Sequence, residues 1–384
     1  MGRSLFKGAV IFDGEAFIDG QAVLVDDGVV AALCPVGESL GAETVIELQG
    51  GVLAPGFIDA QVNGGGGVLF NETPSKTAIG AIADAHRAFG VTALLPTLIT
   101  DTPEKMRLAA AAVKDAIASG CPGCLGIHLE GPFLSPARKG AHRGEMIRPM
   151  NERDVEFLLG LEIDTVLVTL APDVVPPEQI RALSDGGIIV SLGHSNATWD
   201  EVARAVDAGA RGVTHLFNAM SPLGQRAPGM VGAALELGDL WCAIIADGHH
   251  VDAAALRIAL RAKNGPGRLF LVSDAMPTVG DAGDVFMLNG RTVTRAGGRL
   301  TLADGTLAGS DLDMARAVRF AIGELGVRRQ EALRMASLYP AMLLRKDDGY
   351  GRIRPGYRAD FVHLSDDNMV RSVWVGGKNL SLRN

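Results

Sequence analysis

The sequence predicts an α/β protein in which a (β/α)8 TIM barrel carries a small β-sandwich domain formed by the N- and C-terminal segments. Three observations support this prediction. Apolar, strand-like segments alternate with helical stretches, which is typical of parallel βαβ units. Several helical stretches end on glycine, a common residue at helix C-termini. Short strand-like segments separated by Gly and Asp occupy both ends of the chain.

About eight strand-like segments can be counted in the central part of the chain, the number that a (β/α)8 barrel requires. In order they are GFIDAQV, VTALLPTL, CLGIHLEG, DTVLVTLAPD, IIVSLGHS, VTHLFNAM, WCAIIADGHH and RLFLVSDAM. The clearest helical segments between them are TAIGAIADAHRAFG, PEKMRLAAAAVKDAIASG, PEQIRALSDGG and WDEVARAVDAGA. We therefore expect the barrel to span residues 54–345.

The two ends of the chain share a different pattern of short strands and turns. The N-terminal end contains GAVIFDG, QAVLVDDGVVAAL and TVIELQGGVLAPG, and the C-terminal end contains GRIRPGYRADFVHL and VRSVWVGG. Although these segments are far apart in sequence, they favour β-structure in the same way. We expect residues 1–53 and 346–384 to pack together as one small β-sandwich domain beside the barrel.

Composition excludes several classes of protein. The chain has 384 residues, 47% of them hydrophobic, and its 36 Lys and Arg against 44 Asp and Glu give a net charge of -8. Nucleic-acid binding proteins usually carry a basic surface, so nucleic acid is not expected as a partner. A small anionic substrate remains compatible, provided that the site concentrates positive charge locally.

The sequence contains no targeting or membrane-spanning segment that we can identify. Its first apolar stretch is interrupted by Asp13 and Glu15, unlike a secretory signal, and no apolar run approaches the ~18 residues that span a bilayer. The CPGC at Cys121 and Cys124 leads directly into a strand-like segment rather than opening a helix, which favours a turn over a redox or zinc motif. We expect a soluble, cytoplasmic protein without a membrane partner.

Polar residues cluster where the predicted barrel strands end. The C-terminal ends of the strands form the catalytic face in barrels of this kind. The residues at these ends are His128, Glu130, His194, Ser195, His215, Asn218, Asp247, His249, His250, Ser273 and Asp274. Five of the chain's eight histidines are among them. Chance would scatter them, so the pattern indicates a common site.

The residue types at these ends predict a metal site. Two neutral imidazoles and one carboxylate are a common ligand set for a catalytic zinc. Glu130, His194 and His215 are therefore our candidate ligands, and a cation would be the positive partner that a buried Glu130 needs. Strand alternation places His128 on the same face as Glu130, where it could support the ligands without binding the metal.

Two further histidines lie away from the strand ends. His86 falls within a predicted helix, and His363 falls within the C-terminal β-rich segment. We expect both to be surface or structural residues.

The same segments resemble the amidohydrolase superfamily and, within it, the N-acetylglucosamine-6-phosphate deacetylase family. PGFIDAQ (55–61) resembles the superfamily's signature on strand one. The more specific matches are HLEGPFL, KGAH (139–142), SLGHSNAT, VTHLFNAM, PLGQRAPG, ADGHH, VSDAM and LAGS (307–310), in family order. The resemblance spans residues 55 to 310. It implies a barrel with a flanking β-sandwich and the removal of acetate from N-acetyl-D-glucosamine 6-phosphate.

The resemblance also implies roles for individual residues. Glu130, His194 and His215 would hold the metal, Asp274 would act as general base and then general acid, and His142 would help to polarise the amide carbonyl. The residues implied around the substrate are Gln61, Ala141, His142, Asn218, Ala219, Arg226, His250, Leu307, Ala308 and Gly309, with Arg226 and His250 near the phosphate. Since a neighbouring subunit can contribute to the phosphate site in this family, we expect a homodimer.

One departure from other superfamily members bears on the number of metal ions. Some members carry His-x-His at the end of strand one and hold two metals, whereas this chain has Gln61 and Asn63 there. Amides are poorer zinc ligands than imidazoles, and strand four lacks the lysine that some superfamily relatives carbamylate to bridge two metals. We expect one divalent ion per subunit, zinc first and Fe²⁺, Co²⁺ or Mn²⁺ as alternatives, with Gln61 at most touching the metal's water.

Two rival interpretations stay open at this point. A deacetylase for the galacto epimer, or another amidohydrolase acting on a cyclic amide, would carry the same ligands, because epimers differ by one hydroxyl orientation. A barrel that has lost catalysis and serves as a binding protein would be expected to have lost ligands. The presence of Glu130, His194, His215 and Asp274 favours the enzyme.

Overall fold

A computed structural model describes residues 2–38 and 40–380 of the chain. Its strands, numbered in chain order, are β1 (Ser4–Lys7), β2 (Val10–Phe12), β3 (Phe17–Ile18), β4 (Gln21–Asp26), β5 (Val29–Pro35), β6 (Thr44–Glu47), β7 (Val52–Pro55), β8 (Phe57–Val62), β9 (Gly64–Gly65), β10 (Val68–Leu69), β11 (Val91–Ile99), β12 (Ile127–Glu130), β13 (Val166–Leu170), β14 (Ile189–Leu192), β15 (Gly212–Val213), β16 (Trp241–Ile244), β17 (Leu269–Leu271), β18 (Val285–Leu288), β19 (Arg291–Ala296), β20 (Arg299–Leu302), β21 (Leu307–Ser310), β22 (Phe361–Leu364), β23 (Val370–Val375) and β24 (Lys378–Asn379).

The helices follow most of the barrel strands. They are α1 (Lys76–Arg87), α2 (Pro103–Ala118), α3 (Glu152–Leu159), α4 (Pro177–Asp185), α5 (Trp199–Asp207), α6 (Gly229–Glu236), α7 (Ala253–Ala262), α8 (Met314–Gly323), α9 (Arg329–Ala336) and α10 (Leu338–Leu343). Two short 3-10 helices, Pro136–Arg138 and Gly144–Met146, lie in the long loop after β12.

Eight parallel strands form the barrel in the order β8-β11-β12-β13-β14-β15-β16-β17. The sheet nearly closes on itself, and the last gap is bridged just beyond β17. There Ala275 pairs in parallel with Val62, and the Asp274 N–H donates to the Gln61 carbonyl at 3.0 Å. These strands fall on the eight segments that the sequence predicts, so the barrel prediction is confirmed.

The barrel strands are buried on both faces because the helices cover the outer one. All nine residues of β11 are buried, for example, and six of them are Val, Ala, Leu or Ile. Such continuous apolar runs are typical of parallel strands packed under helices. Each helix returns the chain to the same end of the barrel, so the C-terminal ends of all eight strands share one face.

The two ends of the chain form two more sheets. One has the order β5-β4-β1-β6, and the other has the order β24-β23-β22-β7-β2-β3 and joins N-terminal with C-terminal strands. Phe6 meets both Phe361 and Trp374 edge to face at ring-centroid distances of 5.3 Å. These rings form the centre of a second hydrophobic core. The predicted association of the two ends is confirmed, whereas the boundaries 1–53 and 346–384 stay a prediction.

One sheet was not predicted from the sequence. Strands β18-β19-β20-β21 form an antiparallel sheet between the last barrel strand and α8. Its strands are short, and charged residues lie within or beside them. Because they contain no long apolar run, the pattern of βαβ units in the sequence does not predict them. The sheet brings Leu307 and Gly309 of β21 to the C-terminal face of the barrel.

Two smaller observations complete the fold. None of the helices within the described ranges combines the length and the apolar character that crossing a bilayer would require. Cys121 and Cys124 lie in the turn between α2 and β12, as the sequence predicts, and neither forms a disulfide.

Candidate metal centre and catalytic site

Three side chains from three barrel strands converge at the C-terminal face. Glu130 is the last residue of β12, and His194 and His215 lie two residues beyond the ends of β14 and β15. Glu130 Oε1 lies 3.0 Å from His215 Nε2 and 3.2 Å from His194 Nε2, and the two Nε2 atoms lie 3.1 Å apart. The structure thus brings together the three predicted metal ligands, all of them buried.

The arrangement of these atoms fits a cation. His194 Nδ1 lies 2.8 Å from the Arg138 carbonyl oxygen, so Nδ1 carries the ring proton and Nε2 presents a lone pair. That lone pair faces Glu130 Oε1. Because His194 Nε2 and Glu130 Oε1 are both electron-pair donors, they repel at 3.2 Å unless a proton or a cation lies between them. Two imidazole nitrogens and one carboxylate oxygen, all within 4.8 Å of one another, match a common catalytic zinc set.

The charge of Glu130 is maintained although the side chain is only 1% exposed. Burial by itself would raise the pKa of Glu130, but its close contacts with His194 and His215 outweigh burial and hold that pKa well below its usual value. The pKa of His215 is raised, since its hydrogen bond to Glu130 outweighs the effect of burial. The site is therefore built around an anion that needs positive partners.

The backbone is unusual where the functional side chains leave the strands. His194, His215 and Asp274 have φ angles of 46°, 33° and 53°, in the left-handed region that non-glycine residues seldom occupy. Such conformations cluster at functional sites, where they aim a side chain in a direction that a regular strand would not allow.

A cavity of about 240 Å³ adjoins the three candidate ligands. The predicted residues that line it are Ala141, His142, Asn218, Ala219, His250, Asp274, Leu307 and Gly309. Others that line it are Asn63, Ile99, Gly140, Ile245, Met276 and Thr306. Most of the predicted site therefore lies around one cavity, although the sequence segments that supply it are far apart.

His142 reaches this cavity in a fixed tautomer. The Thr100 backbone N–H donates to His142 Nδ1 at 3.3 Å, and the Thr100 hydroxyl lies 2.8 Å from the same nitrogen. Nδ1 is therefore an acceptor and the ring proton lies on Nε2, which is 3.9 Å from Glu130 Oε2. Burial, and then the proximity of the His194 ring, lower the pKa of His142 to about 3. His142 thus presents a neutral N–H donor.

Asp274 is a buried carboxyl with a raised pKa. Burial, and then the negative charge of Glu130, raise the pKa of Asp274 to about 6. Its Oδ1 accepts hydrogen bonds from Gln61 Nε2 at 3.1 Å and from Asn63 Nδ2 at 2.7 Å. A carboxyl whose pKa lies near neutral pH can both take up and release a proton during a reaction.

His250 is oriented by a neighbouring carboxylate. Its Nδ1 lies 2.6 Å from Asp247 Oδ2, and Asp247 Oδ1 accepts hydrogen bonds from the backbone N–H groups of His249 and His250. Burial would raise the pKa of Asp247, but the hydrogen bond from His250 outweighs it and lowers that pKa. The ring of His250 is therefore held in one orientation at the cavity wall.

Three predicted substrate residues lie away from the cavity lining. Gln61 is buried, and its amide contacts Glu130 Oε2 at 3.2 Å as well as Asp274. Ala308 is fully buried between two lining residues. Arg226 is exposed on a separate cavity of about 740 Å³. The cavity of a single chain therefore gives no direct account of the predicted phosphate contact of Arg226.

Three other histidines have structural partners. His128 lies inside the barrel, where Nδ1 is 3.3 Å from Thr97 Oγ1 and Nε2 is 2.7 Å from Thr169 Oγ1. His86 Nε2 contacts the Gly64 carbonyl at 2.9 Å, and His363 Nε2 contacts the Gly50 carbonyl at 2.7 Å. His86 and His363 are both buried, so they are structural residues rather than surface ones.

Sequence reasoning missed three supporting residues. Asn63 directly follows β8, and strand alternation continued by one residue places it on the same face as Gln61, a pattern that could have revealed its contact with Asp274. Thr100 directly follows β11 and carried no motif. Asp247 lies near a strand end, but nothing in the sequence assigns it to His250.

Comparisons with known proteins agree with this geometry. Residues 52–380 match the model of the amidohydrolase family. An N-acetylgalactosamine-6-phosphate deacetylase of Shewanella sp. (strain ANA-3) is 44% identical over 364 residues, which cover 94% of this chain and 91% of the relative. The N-acetylglucosamine-6-phosphate deacetylase of Homo sapiens is 40% identical over 345 residues, covering 86% and 83%. A crystal structure of N-acetylglucosamine-6-phosphate deacetylase from Pasteurella multocida superposes with a TM-score of 0.94 at 36% identity, covering 98% of this chain and 99% of that one.

The metal site makes a first testable prediction. Glu130→Gln removes the only negative charge from the ligand set and is expected to weaken metal binding by at least about tenfold, since even supporting residues of metal sites have effects of this size. Metal content after dialysis, measured by atomic emission, checks this. Glu152→Gln, at an exposed position in α3, is the matched control. Equal metal content in the two variants would remove Glu130 from the ligand set.

Proposed function

The chain belongs to the amidohydrolase family, and from that premise we propose that it hydrolyses N-acetyl-D-glucosamine 6-phosphate to acetate and D-glucosamine 6-phosphate. Hydrolysis of a carbon–nitrogen bond is common to the family and to the deacetylases that the chain matches. One observation carries the proposal. A single cavity joins a metal-ligand cluster, a neutral imidazole donor and a buried carboxyl with a raised pKa.

We propose one divalent cation per chain, held by Glu130, His194 and His215. Zinc suits two imidazoles and a carboxylate, and Fe²⁺, Co²⁺ and Mn²⁺ accept the same ligands. When bound, such a cation polarises an amide carbonyl and lowers the pKa of a water molecule. The amide of Gln61 supports a single ion, because it donates to Glu130 Oε2 and Asp274 Oδ1, oxygens for which a second cation would compete.

The residues of the chain supply the proton transfers. Asp274 accepts a proton from the attacking water and then delivers it to the sugar nitrogen as the carbon–nitrogen bond breaks. One carboxyl serves both steps because they occur in sequence. His142 donates from Nε2 to the carbonyl oxygen as negative charge develops there, an interaction worth about 3 kcal/mol in comparable sites.

The sugar phosphate would occupy the part of the cavity away from the metal ligands. We propose that His250 and Asn218 contact it with their side chains and that the segments at Ala141, Ala219 and 307–309 contact it through the backbone. His250 is suited to this role because Asp247 already fixes its ring. Substrate binding therefore does not carry the entropic cost of ordering this side chain.

The phosphate also needs a cationic partner in a chain of net charge -8. The forked guanidinium of Arg226 suits phosphate oxygens, yet it is exposed on a different cavity. A homodimer in which each chain brings its Arg226 to the other chain's site accounts for both facts. We propose that assembly.

Deacetylation of the galacto epimer is the second candidate function. It is favoured by the 44% identity to an N-acetylgalactosamine-6-phosphate deacetylase. The two substrates share the acetamido group and the phosphate, so the ligands, Asp274 and His142 would act in the same way on both.

The proposed function is tested by acetate release. The purified protein is expected to release acetate from N-acetyl-D-glucosamine 6-phosphate, to lose this activity after chelation, and to regain it when Zn²⁺ is added back. Values of kcat/KM on the gluco and galacto phosphosugars, measured side by side, decide between the two substrates. A higher value on the galacto sugar would replace the gluco assignment, and no release from either would refute deacetylation.

Asp274 makes a prediction about pH. The carboxyl must be ionised to accept a proton, so kcat/KM is expected to fall as pH drops through about 6, or through a lower value where a bound cation favours the charged form. Asp274→Asn is expected to keep the metal and to lose about 10²–10⁴-fold in kcat. Asp185→Asn, on the exposed end of α4, is the control. A kcat near that of the wild type in Asp274→Asn would exclude Asp274 as the base.

Arg226 and the dimer can be tested together. Arg226→Ala is expected to raise KM for the phosphosugar by at least about tenfold, because it removes a charge-assisted contact, while Arg153→Ala has no such effect. Mixing Arg226→Ala with Asp274→Asn chains is then expected to restore low-KM activity, since one mixed site has both Asp274 and the other chain's Arg226. If mixing restores nothing although the chains exchange, Arg226 does not act across the interface.

A further inference from the structure

We propose that Asn63 and Gln61 are positioning residues that hold the Asp274 carboxylate by one oxygen, so that its other oxygen performs the proton transfers. Asn63 Nδ2 lies 2.7 Å and Gln61 Nε2 lies 3.1 Å from the same Oδ1 of Asp274. Among the described residues, no side chain or backbone group donates to Oδ2. This inference rests on the proposed function and adds a role for two amides that stand where two-metal relatives carry imidazoles.

The backbone fixes the distance between the amides and the carboxylate. The Asp274 N–H donates to the Gln61 carbonyl at 3.0 Å, and the Asn63 N–H donates to the Ala275 carbonyl at 2.9 Å. These two hydrogen bonds join the first barrel strand to the segment after the last one. The same pairing that closes the barrel therefore sets the register of Asn63 and Gln61 against Asp274.

The amide of Gln61 also lies between two carboxylates. Its Nε2 is 3.2 Å from Glu130 Oε2 and 3.1 Å from Asp274 Oδ1. The opposite amide orientation would place the carbonyl oxygen of Gln61 against both anions, so the hydrogen-bonding pattern assigns nitrogen to this position. A donor shared by two buried anions reduces their mutual repulsion and keeps Asp274 from turning toward Glu130.

Asn63 has a single use for its side chain. Its Nδ2 bonds to Asp274, whereas its Oδ1 is buried without a hydrogen-bond partner among the described residues. Leaving a buried carbonyl oxygen unpaired is unfavourable. If Asn63 served only packing or its own hydrogen bonding, its carbonyl oxygen would not be expected to stay unpaired. We therefore assign its role to the contact between Nδ2 and Asp274.

The consequence for the reaction is a choice of oxygen. The attacking water gives a proton to Oδ2 as the water oxygen bonds to the carbonyl carbon of the acetamido group. Oδ2 then gives this proton to the sugar nitrogen, and the carbon–nitrogen bond breaks. Oδ1 keeps its two amide donors throughout, so the carboxylate does not need to rotate between the two transfers. A carboxylate that rotated freely would spend part of its time in orientations from which Oδ2 reaches neither the attacking water nor the sugar nitrogen, and the reaction would be slower.

The test compares substitutions that remove the donor in different ways. Asn63→Ala deletes the amide donor. Asn63→Asp keeps the shape of the side chain but replaces the NH2 donor with an oxygen. Both are expected to lower kcat by about 10²-fold, the usual effect of a misplaced catalytic group. KM is expected to stay within about threefold and metal content to stay unchanged, because Asn63 is not among the residues proposed to bind the substrate or the metal. Asn264→Asp, at an exposed position, is the control and is expected to resemble the wild type.

Two further measurements separate positioning from general destabilisation. In an Asp274→Asn background, Asn63→Ala is expected to cause no additional loss of kcat, because the carboxylate that it positions is already gone. In crystals of the Asn63→Ala protein, the Asp274 carboxylate is expected to be rotated or disordered relative to the wild type. The inference is wrong if both Asn63 variants keep the wild-type kcat, if the losses add in the double variant, or if Asp274 stays in place.

The crystallographic result does not depend on substrate identity. A wild-type protein that releases acetate from neither phosphosugar would refute the proposed function. The orientation of Asp274 in the variant would still support or contradict the role of Asn63. Conversely, normal acetate release by both Asn63 variants would leave the proposed function intact and reject the positioning role.

Discussion

The ionised carboxylate of Glu130, buried at the C-terminal edge of the barrel, is the constraint around which the site is arranged. Such a charge is costly to bury without positive or hydrogen-bonding partners. One oxygen faces the imidazoles of His194 and His215, and the other faces the amide of Gln61. The same charge adds to burial, the larger cause, in raising the pKa of Asp274. A single anion thus contacts the other two candidate ligands on one side and influences the protonation of the proposed general base on the other.

A layer of buried polar side chains supports this edge from inside the barrel. The hydroxyls and the imidazole of neighbouring strands form a chain of contacts through Thr97, His128, Thr169, Thr214 and Ser191. In that order, the four distances between consecutive side chains are 3.3, 2.7, 2.6 and 2.7 Å. Burial lowers the pKa of His128 to about 4, so the imidazole is neutral and can donate from one nitrogen and accept at the other. These hydrogen bonds tie together the strands β11 to β15, which carry all three candidate ligands.

The sequence contained enough information to predict the barrel and the convergence of the three candidate ligands, because both depend on the regular alternation of strands and helices. Apolar runs separated by helices identify the eight strands, and a polar residue at the end of such a run must lie at the catalytic face. The antiparallel sheet after β17 and the tautomer of His142 depend on contacts between distant segments, for which the sequence has no local pattern. Arg226 shows a different limit, since the family resemblance implied a phosphate contact but not the cavity on which the side chain lies.

Backbone conformation is the part of the site that no side-chain pattern reveals. Residues held in the left-handed region cost about 1–3 kcal/mol each and persist only where the surrounding structure fixes them. Around His194, His215 and Asp274 the fixing contacts are backbone hydrogen bonds to adjacent segments. They are Ser195 N–H to the Ala219 carbonyl, Leu216 N–H to the Ala243 carbonyl and Ser310 N–H to the Asp274 carbonyl. A glycine would relieve the strain but would remove a candidate ligand or the proposed base, so the barrel has to stabilise these conformations. The ordered hydrogen bonding of the strand ends is therefore as much a part of the site as the side chains that line it.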